Sequence, residues 1–267
     1  MKKILFIGAG SMAEALMQGW IRQQVFKPQE IYVTNRSDKD RLHYLHDTYG
    51  VSILQDDSTF AQLDAIILAM KPNDAVTAMQ LVCKKLADHT AVLSILAGIP
   101  IDTITENLGN RPVARVMPNT SATIGMSASG IAFNKAISDA QRLTFLQLLE
   151  AVGSVIEVKE DQLHAVTALS GSGPAYIYYL MEAFERVGTE VGLDKDTVRL
   201  LMTQTLAGTA EMLKQSPDEP NELRRKVTSP GGTTEAGIKA LEHYHFNDAI
   251  KACIKEAEAR SRELAKN

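Results

Sequence analysis

Residues 227–241 read Val-Thr-Ser-Pro-Gly-Gly-Thr-Thr-Glu-Ala-Gly-Ile-Lys-Ala-Leu. Ser229 and Pro230 open a tight turn in which Gly231 and Gly232 free the backbone for conformations that side chains forbid. Thr233 and Thr234 stand where an N-cap belongs, Glu235 follows in the first turn, and Ala236, Ile238 and Leu241 continue an apolar helical period. Such a turn aims several backbone N–H groups and two or three hydroxyls at one spot, at the positive end of a helix. That chemistry suits a small carboxylate. Taken alone, Ser-Pro-Gly-Gly also reads as an ordinary capped helix start.

A second constellation lies at the N-terminus. Gly8-Ala9-Gly10-Ser11-Met12-Ala13 is G-x-G-x-x-A, directly after an apolar run ending at Ile7 and directly before a helical pattern. Gly8 allows the tight turn, Gly10 lets a pyrophosphate approach the backbone, and Ala13 is small enough for the helix to pack on the strand. The next strand ends in Thr34-Asn35-Arg36-Ser37 rather than in an acidic residue. A guanidinium flanked by an amide and a hydroxyl forks onto a 2′-phosphate, which a carboxylate would repel, so the expected cofactor is NADPH, with NADH second. Asp38 lies just beyond and weighs towards a ribose 2′-hydroxyl. The histidines at 43, 46, 243 and 245 lack a third ligand at metal spacing, and no Ser-His-Asp order is present, so no metal is expected.

The elements that must position these residues change character along the chain. Short β-branched runs at 4–7, 31–34, 65–70, 91–96, 113–117, 130–133 and 155–158 predict strands, with helical spacing at 11–23, 38–49 and 73–86. The alternation argues for a mostly parallel sheet covered on both faces. After Asp161 the pattern is helical. Ile177, Leu180, Met181, Phe184, Val187 and Val191 mark one face of a helix from Pro174 to Gly192, and a second runs from Asp194 to Leu213. Residues 216–221 read as a polar loop, and two more helices follow Gly232 and Phe246. The expected fold is α/β plus all-α: a Rossmann-like doubly wound domain over 1–161 that binds the dinucleotide, then an all-helical domain over 162–267.

Composition sets outer bounds. Hydrophobic residues are 45% and charged residues 22% of 267, as in a soluble globular protein. Twenty-eight basic against thirty-two acidic residues leave a net charge of −4 with the signs mixed, which offers no basic footprint for nucleic acid. The apolar run after Met1-Lys2-Lys3 stops at Gly8, too short for a signal peptide, and none approaches the ~18–20 residues of a membrane span. Cys83 and Cys253 lack a C-x-x-C or zinc spacing, which fits a reduced protein in the cytoplasm.

From Gly8-Ala9-Gly10 through Ala69-Met70-Lys71-Pro72 and Leu169-Ser170-Gly171-Ser172-Gly173-Pro174-Ala175-Tyr176 to the Ser229-to-Thr234 turn, the chain resembles pyrroline-5-carboxylate reductases over essentially its entire length. The resemblance implies NADPH-dependent hydride transfer to the C=N carbon of 1-pyrroline-5-carboxylate, giving L-proline. It implies that Ser229, Gly231, Gly232, Thr233 and Thr234 bind the substrate, with the Thr234 hydroxyl on the ring nitrogen as the catalytic group. The implied cofactor contacts are Ile7, Gly8, Ala9, Gly10, Ser11, Met12, Asn35, Arg36, Ser37, Asp57, Ala69, Met70, Lys71, Pro72, Ala97 and Asn119. Asp57 departs from the family pattern, where Asn is common near this point. A homodimer through the helical domain, assembled further, is also implied, with no nucleic-acid or membrane partner. Related hydroxyacid dehydrogenases share the layout but carry a lysine early in the helix, where this chain has residues 175–180, Ala-Tyr-Ile-Tyr-Tyr-Leu. That absence argues against alcohol oxidation. Two other readings stand beside this one: a reductase of another cyclic imine or a keto acid, and a non-catalytic NADP-binding sensor.

Overall fold

The computed structural model describes residues 1–265. They form two compact units, Met1–Pro174 together with the chain from Glu256 onward, and Ala175–Lys255. The first unit is built on eight strands: β1 (Ile4–Ile7), β2 (Ile31–Thr34), β3 (Ser52–Ile53), β4 (Ala65–Leu68), β5 (Ala91–Ser94), β6 (Val113–Met117), β7 (Ser127–Phe133) and β8 (Gly153–Glu157). Their order is β3-β2-β1-β4-β5-β6-β7-β8. The first six pair in parallel, and β7 runs antiparallel to β6. A reversal is possible there because no crossover helix intervenes. The chain leaves β6 through a short 3₁₀ turn (Thr120–Ile124), and Gly125, at φ +76°, turns it back.

Five helices cover the sheet: α1 (Ser11–Arg22), α2 (Lys39–Tyr49), α3 (Ala75–Cys83), α4 (Ile101–Leu108) and α5 (Asp139–Glu150). Alternation along β1 sends Ile4 and Phe6 into one apolar layer with Leu16, Trp20 and Leu149, and Leu5 into the other with Met79 and Ile104. Trp20 anchors the first layer. It is fully buried, donates its indole N–H to the Leu148 carbonyl at 2.6 Å and lies 5.5 Å from the Phe6 ring. Strands β4 and β5 end two residues before the expected 70 and 96, while β7 and β8 begin earlier than 130 and 155. The two-residue β3, α4 and α5 were absent from the expected elements. α5 nonetheless carries a capping box, Ser138 with Gln141.

The expected domain boundary at 161/162 differs from the division between compact units. Residues 162–174 belong to the first unit, through α6 (Leu163–Val166) and a single π-helical turn (Thr167–Gly171) closed by the Ser172 N–H on the Thr167 carbonyl at 2.8 Å. Val166 packs on Gly130, where a Cβ would come within 2.8 Å of it. The second unit draws on α7 (Gly173–Glu190), α8 (Lys195–Gln215), α9 (Pro220–Lys226), α10 (Thr233–His243) and the start of α11 (Phe246–Leu264). α9 replaces part of the expected polar loop, because Pro220 is pre-set for the first helical position. No helix among the described residues is long and apolar enough to cross a membrane.

The end of α11 belongs to the first unit. Arg262 grips the Asp161 carboxylate with two hydrogen bonds, 2.5 and 3.2 Å, and holds that carboxyl below its usual range. Ser261 Oγ lies 2.9 Å from Nδ1 of the buried His164. Burial, then the charges of Arg115 and Arg262, push the His164 imidazole below its ordinary value, so it is held neutral. A group that binds a proton less well folded than unfolded stabilises the fold above about pH 6.5, and that contribution is lost as the pH falls. The melting temperature should therefore drop between about pH 7.5 and about pH 5.5, and His164→Gln should flatten part of the slope. Parallel slopes for the two proteins would remove His164 from this linkage.

Candidate dinucleotide site and substrate loop

The carboxyl ends of four neighbouring strands are tied together just beyond their last residues. The Gly8 N–H donates to the Thr34 carbonyl at 2.8 Å, the Ala69 N–H to Ile7 at 2.9 Å, and the Ile95 N–H to Leu68 at 3.1 Å. Gly8 sits at φ +113°, and a Cβ there would collide with the backbone of Ala69 and Met70. Only glycine meets both conditions. The expected Ile7, Gly8, Ala9, Ala69 and Met70 are thus brought together.

Gly10 is a different case. Its φ is −73°, ordinary for any residue, and a Cβ would meet no protein atom within 4 Å. Nothing in the protein requires glycine here. Gly10 is the N-cap of α1 yet offers no side-chain acceptor to the amides of Ser11 and Met12, so the start of α1 is open to an external anion. A pyrophosphate fits this cradle, and a side chain at position 10 would stand in its way.

At the end of β2 the three expected residues do different things. The Asn35 amide donates to the Asp38 carbonyl at 2.6 Å and so locks the turn. Asp38 caps α2, its carboxylate oxygen Oδ1 accepting the Arg41 N–H at 2.9 Å. Ser37 is exposed. Arg36 projects into solvent, 84% exposed, with Nη1 2.8 Å from Asp74. Arg41, which the sequence reading missed, donates from Nε to the Ala9 carbonyl at 2.8 Å and from Nη2 to Glu14 at 2.5 Å. Glu14 also accepts from the Tyr49 hydroxyl at 2.8 Å. Burial disfavours the Glu14 charge, but the hydrogen bonds from Arg41 and Tyr49 outweigh it and hold the carboxyl below its usual range. Burial and Glu14 together push the Tyr49 hydroxyl well up. No local pattern marks this cluster, since Arg41 reaches back 27 and 32 residues.

The remaining expected residues divide. Lys71 and Pro72 open the 3₁₀ turn after β4, with Lys71 exposed. Ala97 packs beside Met117 and Leu163. Asn119 is buried and uses both ends of its amide inside the protein: Nδ2 donates to the Ser170 carbonyl and Oδ1 accepts the Ser121 N–H, each at 3.1 Å. It is a strut between the end of β6 and the π-helical turn, a form of turn found often at functional sites. Asp57 is exposed, and its carboxylate is engaged by Lys85 at 2.9 Å.

In the second unit the carboxylate-type turn forms, shifted by one residue. Gly231 takes φ +72°, the Gly232 N–H donates to the Ser229 carbonyl at 3.0 Å, and Gly232 rather than a threonine is the N-cap of α10. Thr233 and Thr234 become the first two helical residues because the turn closes one position early. Their hydroxyls are consequently not spent on the cap, and among the described residues they make no hydrogen bond. The loop already holds a carboxylate. Glu235 accepts the Gly231 N–H at 2.8 Å and pairs with Lys239 at 3.1 Å. The Gly231 amide first, then Lys239, keep its carboxyl below the ordinary range.

Known proteins share both halves. Residues 160–264 match the family model for pyrroline-5-carboxylate reductase dimerisation, and residues 3–98 match that for NADP oxidoreductase, coenzyme F420-dependent. Pyrroline-5-carboxylate reductase 2 of Bacillus subtilis (strain 168) is 46% identical over 99% of this chain and 95% of its own length. The structure of a pyrroline-5-carboxylate reductase from Coxiella burnetii superposes with a TM-score of 0.90 at 36% identity, over 100% of this chain and 99% of that one. Plasmodium falciparum pyrroline carboxylate reductase with NADP bound also gives 0.90, at 26% identity, over 99% of this chain and 98% of that one. With such identity over nearly the full length of both proteins, and with the glycine turn in place, the chain belongs to the pyrroline-5-carboxylate reductase family.

Proposed function

We propose that this protein reduces 1-pyrroline-5-carboxylate to L-proline with NADPH. The observation that carries the reading is the turn at residues 229–234. Its amide already binds a carboxylate, and its two threonine hydroxyls are unspent. When bound at the glycine turn, the reduced dinucleotide supplies the hydride.

The work left to the chain is modest, because a protonated cyclic imine is already electrophilic at carbon. The amides of Gly231 and Thr233, with Ser229 beside them, take the substrate carboxylate in exchange for that of Glu235, while Gly232, whose own N–H closes the turn on the Ser229 carbonyl, holds the loop in shape. The Thr234 hydroxyl hydrogen-bonds the ring nitrogen and fixes the ring's orientation, which is where most of the rate must come from. Adding a hydride to the protonated imine gives the secondary amine directly, so no further acid is needed. On the cofactor side, residues 7–12 hold the pyrophosphate and Arg36, flanked by Asn35 and Ser37, reads the 2′-phosphate. Ala69, Met70, Lys71, Pro72, Ala97 and Asn119 line the rest of the cradle.

The helical unit supports a homodimer. No residue of α7 is buried, and Ile177, Tyr178, Phe184 and Val187 along it and Val191 just after it are exposed, as are Leu200 and Leu201 of α8. Apolar area of this extent is covered most simply by a second copy. The free Cys83 and Cys253 accord with the cytoplasm as the location.

The purified protein should oxidise NADPH only when 1-pyrroline-5-carboxylate is present, form proline, and work more slowly with NADH. Oxidation with another cyclic imine or a keto acid but not with this one would overturn the assignment. Thr234→Ala should remove on the order of 1–3 kcal/mol of transition-state stabilisation, roughly ten- to a hundredfold in rate, in a folded protein. Gly10→Ser offers α1 a better cap and should leave the melting temperature unchanged or raised. NADPH binding should nonetheless weaken by about tenfold or more. Undiminished binding would show that nothing approaches the backbone at Gly10. Light scattering should give a mass at least twice that of one chain.

A further inference from the structure

Arg36 does not wait for a ligand unaccompanied. Arg36 follows β2, Asp74 follows β4, and these two strands flank β1 on opposite sides. Neighbouring strands lie about 4.8 Å apart, so the loops start about 10 Å from one another. The Arg36–Asp74 pair at 2.8 Å therefore joins loops on the two sides of β1, beyond whose carboxyl end Gly8 and Gly10 form the cofactor turn. The other acidic group near Arg36, Asp38, is spent on the cap of α2. Asp74 has no such use: it makes no side-chain cap to α3. Its carboxylate is 41% exposed and its recorded partner is Arg36.

We infer that Asp74 is a specificity-determining residue, a counterweight that sets how strongly the protein prefers NADPH over NADH. The inference rests on the reading of Arg36 as the group that takes the 2′-phosphate. A phosphate bearing close to two negative charges must replace the Asp74 carboxylate on Arg36 and then remain near it. That like charge lowers the affinity for NADPH. NADH carries a hydroxyl at the same position. It has nothing to exchange with Asp74 and is not repelled by it. Exposed ion pairs are weak, so the phosphate wins the guanidinium, but with a reduced margin.

The test is direct binding to the full-length protein. Wild type, Asp74→Asn, Arg36→Ala and the double variant are titrated with NADPH and with NADH and followed by nicotinamide fluorescence. Asparagine matches aspartate in shape, and the pair is exposed, so the variants should fold; circular dichroism checks this. Asp74→Asn should tighten NADPH by about three- to tenfold and leave NADH within about twofold. In the Arg36→Ala background the gain should vanish. An unchanged or weakened NADPH affinity overturns the inference, as does an equal gain for both cofactors or a gain that persists without Arg36. If Arg36→Ala itself leaves the NADPH preference intact, the phosphate reading of Arg36 fails. If that variant loses the preference while Asp74→Asn is silent, the role of Asp74 alone fails.

Discussion

The close passage of the β4 end beneath Gly8 is the constraint on which the cofactor half of this molecule depends. The β1–β4 ladder continues one residue past β4, through the Ala69 N–H on the carbonyl of Ile7, the last residue of β1. The backbone of Ala69 and Met70 then occupies the space that a side chain at position 8 would need. Because Gly8 also takes a positive φ, the turn folds tightly enough for α1 to start three residues later with its amides uncovered. The same passage carries the chain from β4 towards Asp74, on the far side of β1 from Arg36. One backbone contact thus shapes the anion cradle and brings an acidic group to the neighbouring cation.

A shared electrostatic device recurs at the two proposed anion sites. Glu235 lies on the Gly231 amide in the helical unit, and Asp74 lies on Arg36 in the α/β unit. In each, a carboxylate of the chain satisfies a donor that the proposed function assigns to a ligand's anion. Such contacts at an exposed surface are worth little, so they yield to a ligand held by several donors at once. The half-buried cluster of Arg41, Glu14 and Tyr49 is of another kind. Its charges are partly desolvated and mutually hydrogen-bonded, and it fixes the Ala9 carbonyl rather than awaiting replacement.

The C-terminal turns of α11 and the segment at 162–174 make the α/β unit larger than its sheet. Gly98, at φ +77°, leaves space that the Leu264 carbonyl fills, and His164 on Ser261 and Asp161 on Arg262 complete the attachment; beside them Arg115 of β6 pairs with Glu160 at 3.1 Å. Glu160 also accepts the Ile101 N–H at 2.7 Å and so satisfies the start of α4, which follows Pro100 and has no side-chain cap of its own. A single acidic residue after β8 therefore serves a buried arginine of β6 and the start of α4.

Much was legible along the chain because it depends on short-range pattern. The apolar runs at β1, β2 and β6, the glycine turn, the helical period of α7 and α8 and the Ser-Pro-Gly-Gly turn all announce themselves within about ten residues, the span over which backbone propensity and side-chain period act. β3 was too short to show a period, and α9 began inside a stretch whose two prolines read as loop. Which threonine or glycine caps α10 was undetermined, since Gly232 and Thr233 are both acceptable caps and only the closed turn at Gly231 selects between them. The roles of Asn119 and Arg41, and the partner of Arg36, depended on tertiary structure. Asp38 and Asn35 are settled by the fold of a single turn, but Asn119 meets Ser170 across 51 residues, Arg41 meets Ala9 across 32 and Arg36 meets Asp74 across 38. The identity and spacing of residues determined that the chain binds a dinucleotide and a small carboxylate. Which side chains remain free to do so was decided only when strand order brought distant donors and acceptors within hydrogen-bonding reach, because a buried polar group such as the Asn119 amide, once committed to a partner in the fold, is not released to a ligand, whereas an exposed pair such as Arg36 and Asp74 exchanges.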